Sequence, residues 1–135
     1  MQVLERFQNH GIGVFRIVVG FLFATHGAAA LFGVLGVEQV GLLVWPSWWA
    51  SLIQTVGGAL VMVGLGTRYA ALICSGSMAY AYFSVHQAGA LLPVQNGGEL
   101  AALFSFAFLL IAFLGNGAWS VERAARIPVQ TTAAK

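Results

Sequence analysis

Charged side chains are scarce in this 135-residue sequence, which has six Lys and Arg residues and four Asp and Glu residues. Charged residues make up 7% of the chain and hydrophobic residues 59%, whereas about a quarter of the residues in a typical soluble domain are charged. So little charge excludes an ordinary soluble domain. The composition predicts that lipid is the solvent for most of the chain.

Cysteine is nearly absent as well, since Cys74 is the single one. One cysteine excludes an intramolecular disulfide and a CxxC redox motif. Cys74 lies within an apolar stretch, and we interpret it as a small buried packing residue. The sequence also has no flavin-binding fingerprint and no supported set of metal or haem ligands. We therefore predict no metal site, and we expect any electron transfer with a soluble donor to need a partner.

Four long stretches contain no charge: Arg16 to Glu38, Glu38 to Arg68, Arg68 to Glu99, and Glu99 to Glu122. Each exceeds the roughly 20 residues that cross a ~30 Å hydrocarbon core as a helix. Helices are required because lipid offers no partner for backbone N–H and C=O groups. The sequence therefore predicts an all-α fold, an integral membrane four-helix bundle, with helices at about Gly11–Gly36, Trp48–Gly66, Tyr69–Gln87 and Gly98–Leu114.

The basic residues all fall on one side of this arrangement, namely Arg6, Arg16, Arg68, Arg123, Arg126 and Lys135. The opposite loops carry only Glu38 and Glu99. By the positive-inside rule both termini are cytoplasmic, and the first helix is expected to be retained rather than cleaved as a signal peptide. We predict a cytoplasmic N-terminal segment at 1–10, a transmembrane domain at 11–118 and a cytoplasmic tail at 119–135. Because orientation explains the basic residues, they predict no nucleic-acid binding.

Polar side chains within or beside the apolar stretches are the candidates for a functional site, because they are costly to place in lipid. Six of them belong to the outer part of the bundle: His26, Gln54, Tyr82, His86, Asn96 and Glu99. From a rise of 1.5 Å per residue we place His26 deepest. On the third helix Ser75, Ala79, Tyr82 and His86 recur at helical spacing. We predict that this face lines a cavity that opens outward.

Three of these six residues have alternative interpretations. His26 is either a neutral imidazole hydrogen-bonded between helices or a group that exchanges protons or holds a ligand. His86 and Glu99 lie near the headgroups, where solvation alone would explain them. Arg16 lies near the cytoplasmic end of the first helix, and we predict that its side chain extends to lipid phosphates.

Several short motifs, many of them rich in small residues, follow one another along residues 14 to 124. They are Arg16 and Gly20, His26-Gly27, Leu31-Phe32-Gly33, Gly57-Gly58, Gly66-Thr67-Arg68, Ala70-Ala71-Leu72, Asn96-Gly97-Gly98-Glu99-Leu100 and Trp119-Ser120-Val121-Glu122-Arg123. In this order they resemble the DoxX family of small bacterial four-helix membrane proteins. The resemblance implies a location in the cytoplasmic (inner) membrane and a redox context, such as electron transfer to quinone or anchoring of redox partners. It carries over His26, Asn96 and Glu99 as matching polar positions.

The resulting hypothesis is a redox-associated inner-membrane subunit that binds a quinone or a similar lipophilic molecule. His26 and Gln54 would offer hydrogen bonds to a carbonyl oxygen, and protons would pass outward through His86 or Glu99. The alternative is a non-catalytic structural or anchoring subunit of a larger membrane complex; a small-solute transporter is less favoured. Both main hypotheses imply contact with the lipid bilayer and with other membrane or redox subunits or further copies of the chain. They leave open whether the protein is an enzyme.

Overall fold

A computed structural model describes residues 1–126, which form helices and connecting turns with no β-strand in that range. The predicted all-α class is confirmed. The helices are α1 (Gln2–Arg6), α2 (Gln8–Phe32), α3 (Ser47–Val63), α4 (Thr67–Ala81), α5 (Pro93–Asn96), α6 (Glu99–Leu114) and α7 (Val121–Ala125), and one π-helical turn (Tyr82–His86) continues α4. The part of the predicted tail that follows Arg126, including Lys135, lies outside the described residues.

Glycines in the left-handed conformation end two of the long helices. Gly33 ends α2 with φ 65° and Gly64 ends α3 with φ 79°, because a residue without a Cβ adopts this conformation at little cost. The predicted ends at Gly36 and Gly66 are therefore a few residues too late. Because α2 ends earlier than predicted, its polar residues lie closer to its C-terminal end than predicted.

The four long helices, α2, α3, α4 and α6, pack around one core with neighbours along the chain antiparallel. Gly20 of α2 lies against Gly58 of α3, and Ser75 of α4 donates a hydrogen bond of 2.8 Å to the carbonyl oxygen of Ser105 in α6. The core between them contains Phe23, Val61, Cys74, Phe108 and Ile111. Cys74 is fully buried, as predicted for a packing residue.

Apolar side chains also cover the outside of the four long helices. Phe21, Val56, Ile73 and Phe106, one from each helix, are at least half exposed, and a soluble monomer rarely exposes so large an apolar surface. Of the described helices, α2 alone is long and apolar enough by itself to cross a membrane, with 25 residues and a mean hydropathy of 1.7 over an 18-residue window. The helices α3 and α6 are apolar but shorter, with 17 and 16 residues.

The two ends of this helix assembly differ. The end that holds the starts of α2 and α4 and the ends of α3 and α6 also holds both termini of the described chain, and we call it the termini end. The other end carries the connections formed by residues 33–46 and 87–98, and we call it the loop end.

Arg16 links α2 to α3 and to the segment that follows α6 at the termini end. Its side chain is 0% exposed, and its guanidinium donates to five carbonyl oxygens at 2.5 to 3.3 Å: those of Val61, Met62, Asn116, Ala118 and Trp119. Two of these carbonyls belong to the last turn of α3, where the helix dipole favours a cation. The prediction that Arg16 extends to lipid phosphates is wrong, because these backbone carbonyls converge on it inside the protein.

Candidate functional site

A cavity of about 250 Å³ lies between the four long helices in the half near the loop end. Apolar side chains form most of its wall. The lining residues are Phe23, His26, Gln54, Met78, Ala81, His86, Gly97, Leu100, Ala101 and Phe104. The structure thus brings together three of the six predicted site residues, namely His26, Gln54 and His86.

Gln54 is the most deeply buried polar residue in the cavity wall. Its side chain is 8% exposed, and its Oε1 atom has no hydrogen-bond partner among residues 1–126. A buried acceptor without a donor costs about 1–3 kcal/mol, so a bound molecule that donates a hydrogen bond here would recover that energy. Gly27 makes this position possible, because a Cβ at Gly27 would lie 2.6 Å from the Cβ of Gln54.

His26 lies at the edge of the cavity and is exposed. The prediction that His26 lies deeper than Gln54 is wrong, because α2 ends at Phe32 and His26 is therefore about as far from the loop end as Gln54 is. The exposed ring is also not held in the interior between two helices. Its position at the cavity mouth leaves the ligand-holding or proton-exchanging role as the hypothesis to test.

The π-helical turn orients His86 toward the cavity. The N–H of Gln87 donates to the carbonyl oxygen of Tyr82 at 2.9 Å, which is the i to i+5 bond of a π-helix. The extra residue in this turn puts His86, and not Val85, on the side of α4 that faces the cavity. The Nδ1 atom of His86 lies 3.2 Å from the carbonyl oxygen of Asn96. π-helical turns often occur at functional sites.

Tyr82, Asn96 and Glu99 do not line this cavity. Asn96 shapes the loop before α6, since its Oδ1 accepts from the N–H of Gly98 at 2.8 Å and its Nδ2 donates to the carbonyl of Ala90 at 2.9 Å. The ring of Tyr82 packs on Gly98, where a Cβ would come within 2.8 Å of it. Glu99 is exposed as the first residue of α6, where a carboxylate interacts favourably with the helix dipole.

One feature of the site and one buried residue outside it were missed from the sequence. Phe23 and Phe104 form part of the cavity wall, with ring centroids 5.2 Å apart, and no sequence pattern distinguishes such residues from ordinary core. The buried Arg16 had a signal, since it is the single Lys, Arg, Asp or Glu residue in α2. A charge within an apolar helix usually faces the protein interior.

Helices with apolar outer faces around a small, partly polar cavity define a helical membrane protein. The DoxX family model matches residues 11–87, more than half of the chain, and the chain belongs to the DoxX family, as its motifs predicted. An uncharacterized protein of Haemophilus influenzae is 40% identical over 133 residues, which cover 90% of this chain and 96% of that protein. The inner membrane protein YqjF of Escherichia coli is 27% identical over 129 residues, with coverages of 89% and 95%. The family and this relative point to the bacterial inner membrane. No solved structure matches the chain.

Proposed function

We propose that α2, α3, α4 and α6 all cross the inner membrane, with both termini in the cytoplasm. Each helix exposes large apolar side chains along its outer face, and the π-helical turn lengthens α4 at the loop end. The exposed arginines Arg6, Arg68, Arg123 and Arg126 lie at the termini end, whereas the loop end carries Glu38 and Glu99. This distribution is the one expected when the termini end faces the cytoplasm.

Single cysteines test this orientation. In intact cells we expect Glu38→Cys to react with a membrane-impermeant thiol reagent and Glu5→Cys to react only after the cells are opened, because the two exposed positions lie on opposite sides. The wild type is the control, since its single cysteine, Cys74, is 0% exposed. Labelling of Glu5→Cys but not Glu38→Cys in intact cells would reverse the proposed orientation.

We further propose that the cavity near the loop end binds the headgroup of a quinone or quinol, or a similar lipophilic ring. The observation that carries this proposal is the buried Oε1 of Gln54, which has no hydrogen-bond partner within residues 1–126 and belongs to a residue that lines a space with imidazoles at its rim. A quinol hydroxyl would donate to this oxygen, and a quinone carbonyl would accept from His26 or His86. At about 250 Å³ the cavity is slightly smaller than the roughly 300–1,000 Å³ of drug-sized sites, which suits one substituted ring.

The protein would act in this role as the quinone-binding subunit of a redox system. Oxidation of a quinol to a quinone releases two electrons and two protons. The imidazoles of His26 and His86 are suited to accept those protons, because histidine is a common general base in enzymes. The sequence has no CxxC motif and no flavin fingerprint, so a redox partner would take the electrons.

Replacing Gln54 tests the ligand proposal. We expect Gln54→Leu to weaken the binding of a short-chain quinol to the purified protein by about tenfold, the effect of losing one well-placed hydrogen bond. Removing an unsatisfied buried amide should at the same time leave the unfolding temperature unchanged or raised. Gln95→Leu is the matched control, because Gln95 is exposed on α5 and outside the cavity. Unchanged quinol affinity in Gln54→Leu, together with purified wild type that carries no quinone, would argue against the site.

A non-catalytic anchoring subunit is the alternative function. An apolar groove of about 290 Å³ between α3 and α4, lined by Val56, Gly57, Leu60, Ala70 and neighbouring residues, favours it. Small residues in such a groove let another helix approach closely in lipid. A stable stoichiometric partner that co-purifies with the protein, without any quinone, would support this function over ligand binding.

A further inference from the structure

A second cavity, of about 360 Å³, opens at the termini end where α4 begins. Its polar wall is formed by Thr67, Arg68, Asn116, Glu122 and Arg126. It shares no lining residue with the cavity near the loop end. Whatever it binds is therefore independent of the proposed quinone site.

Thr67 provides the main observation. Its side chain is 1% exposed, it lines the cavity, and its Oγ1 atom has no hydrogen-bond partner within the described residues. Most buried hydroxyl groups in proteins are hydrogen-bonded. An unpartnered hydroxyl in the wall of a polar cavity indicates that a bound group completes its hydrogen bonding.

The start of α4 supplies further donors to the same place. The first N–H group bonded within this part of the helix is that of Ala70, which donates to the carbonyl oxygen of Gly66 at 3.1 Å. The N–H groups of Thr67, Arg68 and Tyr69 precede it and have no partner within the helix. Together with the helix dipole, such amides attract an anion.

Two arginines add positive charge, and one carboxylate offsets it in part. Arg68 packs across Gly115, where a Cβ would lie 3.2 Å from its Nη2 atom. Arg126 donates from Nη2 to Glu122 at 2.6 Å, which leaves its other N–H groups available. The pKa of Glu122 is lowered, chiefly because Asn116 donates a hydrogen bond to its carboxylate and also because Arg126 is near. With Glu122 ionised, the three charged side chains leave a net positive charge.

We propose that this cavity binds a phosphate group, either as inorganic phosphate or as the phosphate of a lipid headgroup. The hydroxyl of Thr67 and the first N–H groups of α4 bind its oxygens, and the guanidinium groups of Arg68 and Arg126 neutralise its charge. Arginine suits this role because its planar fork of N–H groups matches the geometry of phosphate oxygens. A buried hydroxyl, a helix N-terminus and two guanidinium groups thus converge on one anion.

The test uses the full-length protein in a maltoside detergent without phosphate, and it follows the unfolding temperature during titration. Inorganic phosphate is one ligand, and a short-chain phosphatidylglycerol is the other. A carboxylate amphiphile of the same charge serves as the ligand control. If inorganic phosphate raises the unfolding temperature, the cavity is a site for the free anion. If the phospholipid alone raises it, and the carboxylate amphiphile does not, the cavity is a lipid headgroup site.

Variants test whether phosphate binds in this cavity. We expect Thr67→Val to raise the unfolding temperature without ligand, because it removes an unsatisfied hydroxyl, and to weaken phosphate binding about tenfold. Arg68→Gln should weaken binding at least as much. Arg123→Gln, which removes the same charge from an exposed residue of α7 outside the cavity, should leave binding close to that of the wild type.

Three results would overturn the proposal. They are no response of the wild type to either phosphate ligand, an equal response to the carboxylate amphiphile, and wild-type affinity in Thr67→Val. If Arg68→Gln does not fold, Thr67→Val still decides, because we expect that variant to be the more stable protein.

Discussion

Replacing Arg16 with methionine is expected to remove most of the stability of the fold, with a loss of at least about 4 kcal/mol in the free energy of unfolding. The reason is that five carbonyl oxygens at the termini end lose the guanidinium as a donor at once. The oxygen of Val61 keeps the N–H of Gly64 at 3.2 Å, and each of the other four acceptors, left without a partner, costs about 1–3 kcal/mol. A typical domain is stable by only about 5–15 kcal/mol. Methionine keeps a long apolar stem, so the effect is that of the lost guanidinium. Denaturant titration of the detergent-solubilised protein, followed by circular dichroism, measures it.

Two controls separate this effect from a simple loss of charge. Arg6→Met removes a positive charge from an exposed residue of α1, and we expect a change within about 0.5 kcal/mol. Arg16→Lys keeps the charge but provides three donors in place of five, so we expect an intermediate loss. A stability of Arg16→Met within about 1 kcal/mol of the wild type would contradict the burial of Arg16.

The second large effect is expected from Gly58→Leu, which should separate α2 from α3. A Cβ at Gly58 would lie 2.6 Å from the backbone nitrogen of Ala24 and 2.9 Å from the carbonyl oxygen of Gly20. These are backbone atoms, so no side chain can rotate away to make room. Extra methylene groups in a packed core usually cost about 1–3 kcal/mol, and a clash between two helix backbones should cost at least the upper end of that range. Thermal unfolding in the same detergent measures it.

Gly76→Ala is the matched control for this prediction. Gly76 lies on the exposed side of α4, and a Cβ there would meet nothing within 4 Å. Because glycine weakens the middle of a helix by roughly 0.5–1 kcal/mol relative to alanine, we expect this change to raise the stability. Equal tolerance of Gly58→Leu and Gly76→Ala would show that α2 and α3 do not approach as closely as the structure has them.

The close approach of α2 and α3 also explains why the cavity lies where it does. Gly20, Gly27 and Gly58 allow the two backbones to meet along most of their length, as small residues do between helices in lipid. This contact fixes Gln54 beside Gly27. The sequence predicts that small residues form the interface, because they recur at helical spacing. It does not predict the register of the two helices, which depends on which glycines meet.

The six predicted site residues show where prediction from sequence reaches its limit. His26, Gln54 and His86 line the same cavity, and for the buried Gln54 the reason is that a polar residue in an apolar helix tends to face the interior. Asn96 instead bonds to the loop around it, and Glu99 begins α6 exposed to solvent. For residues beside the helix ends, composition does not distinguish a ligand-binding role from a loop contact.

Composition and the spacing of charged residues by themselves predicted an all-helical chain, which the structure confirms, and the motifs and their order showed the resemblance to the DoxX family. These properties depend on local sequence, since an uncharged run of sufficient length forms a helix wherever lipid surrounds it. Only the tertiary structure decided that Arg16 is buried and that a π-helical turn directs His86 toward the cavity. It also decided that Gln54 and Thr67 line cavities, each with a buried oxygen that has no hydrogen-bond partner in the described part of the chain. Each of these depends on groups from separate helices that meet in space, and sequence spacing along one helix does not specify that meeting.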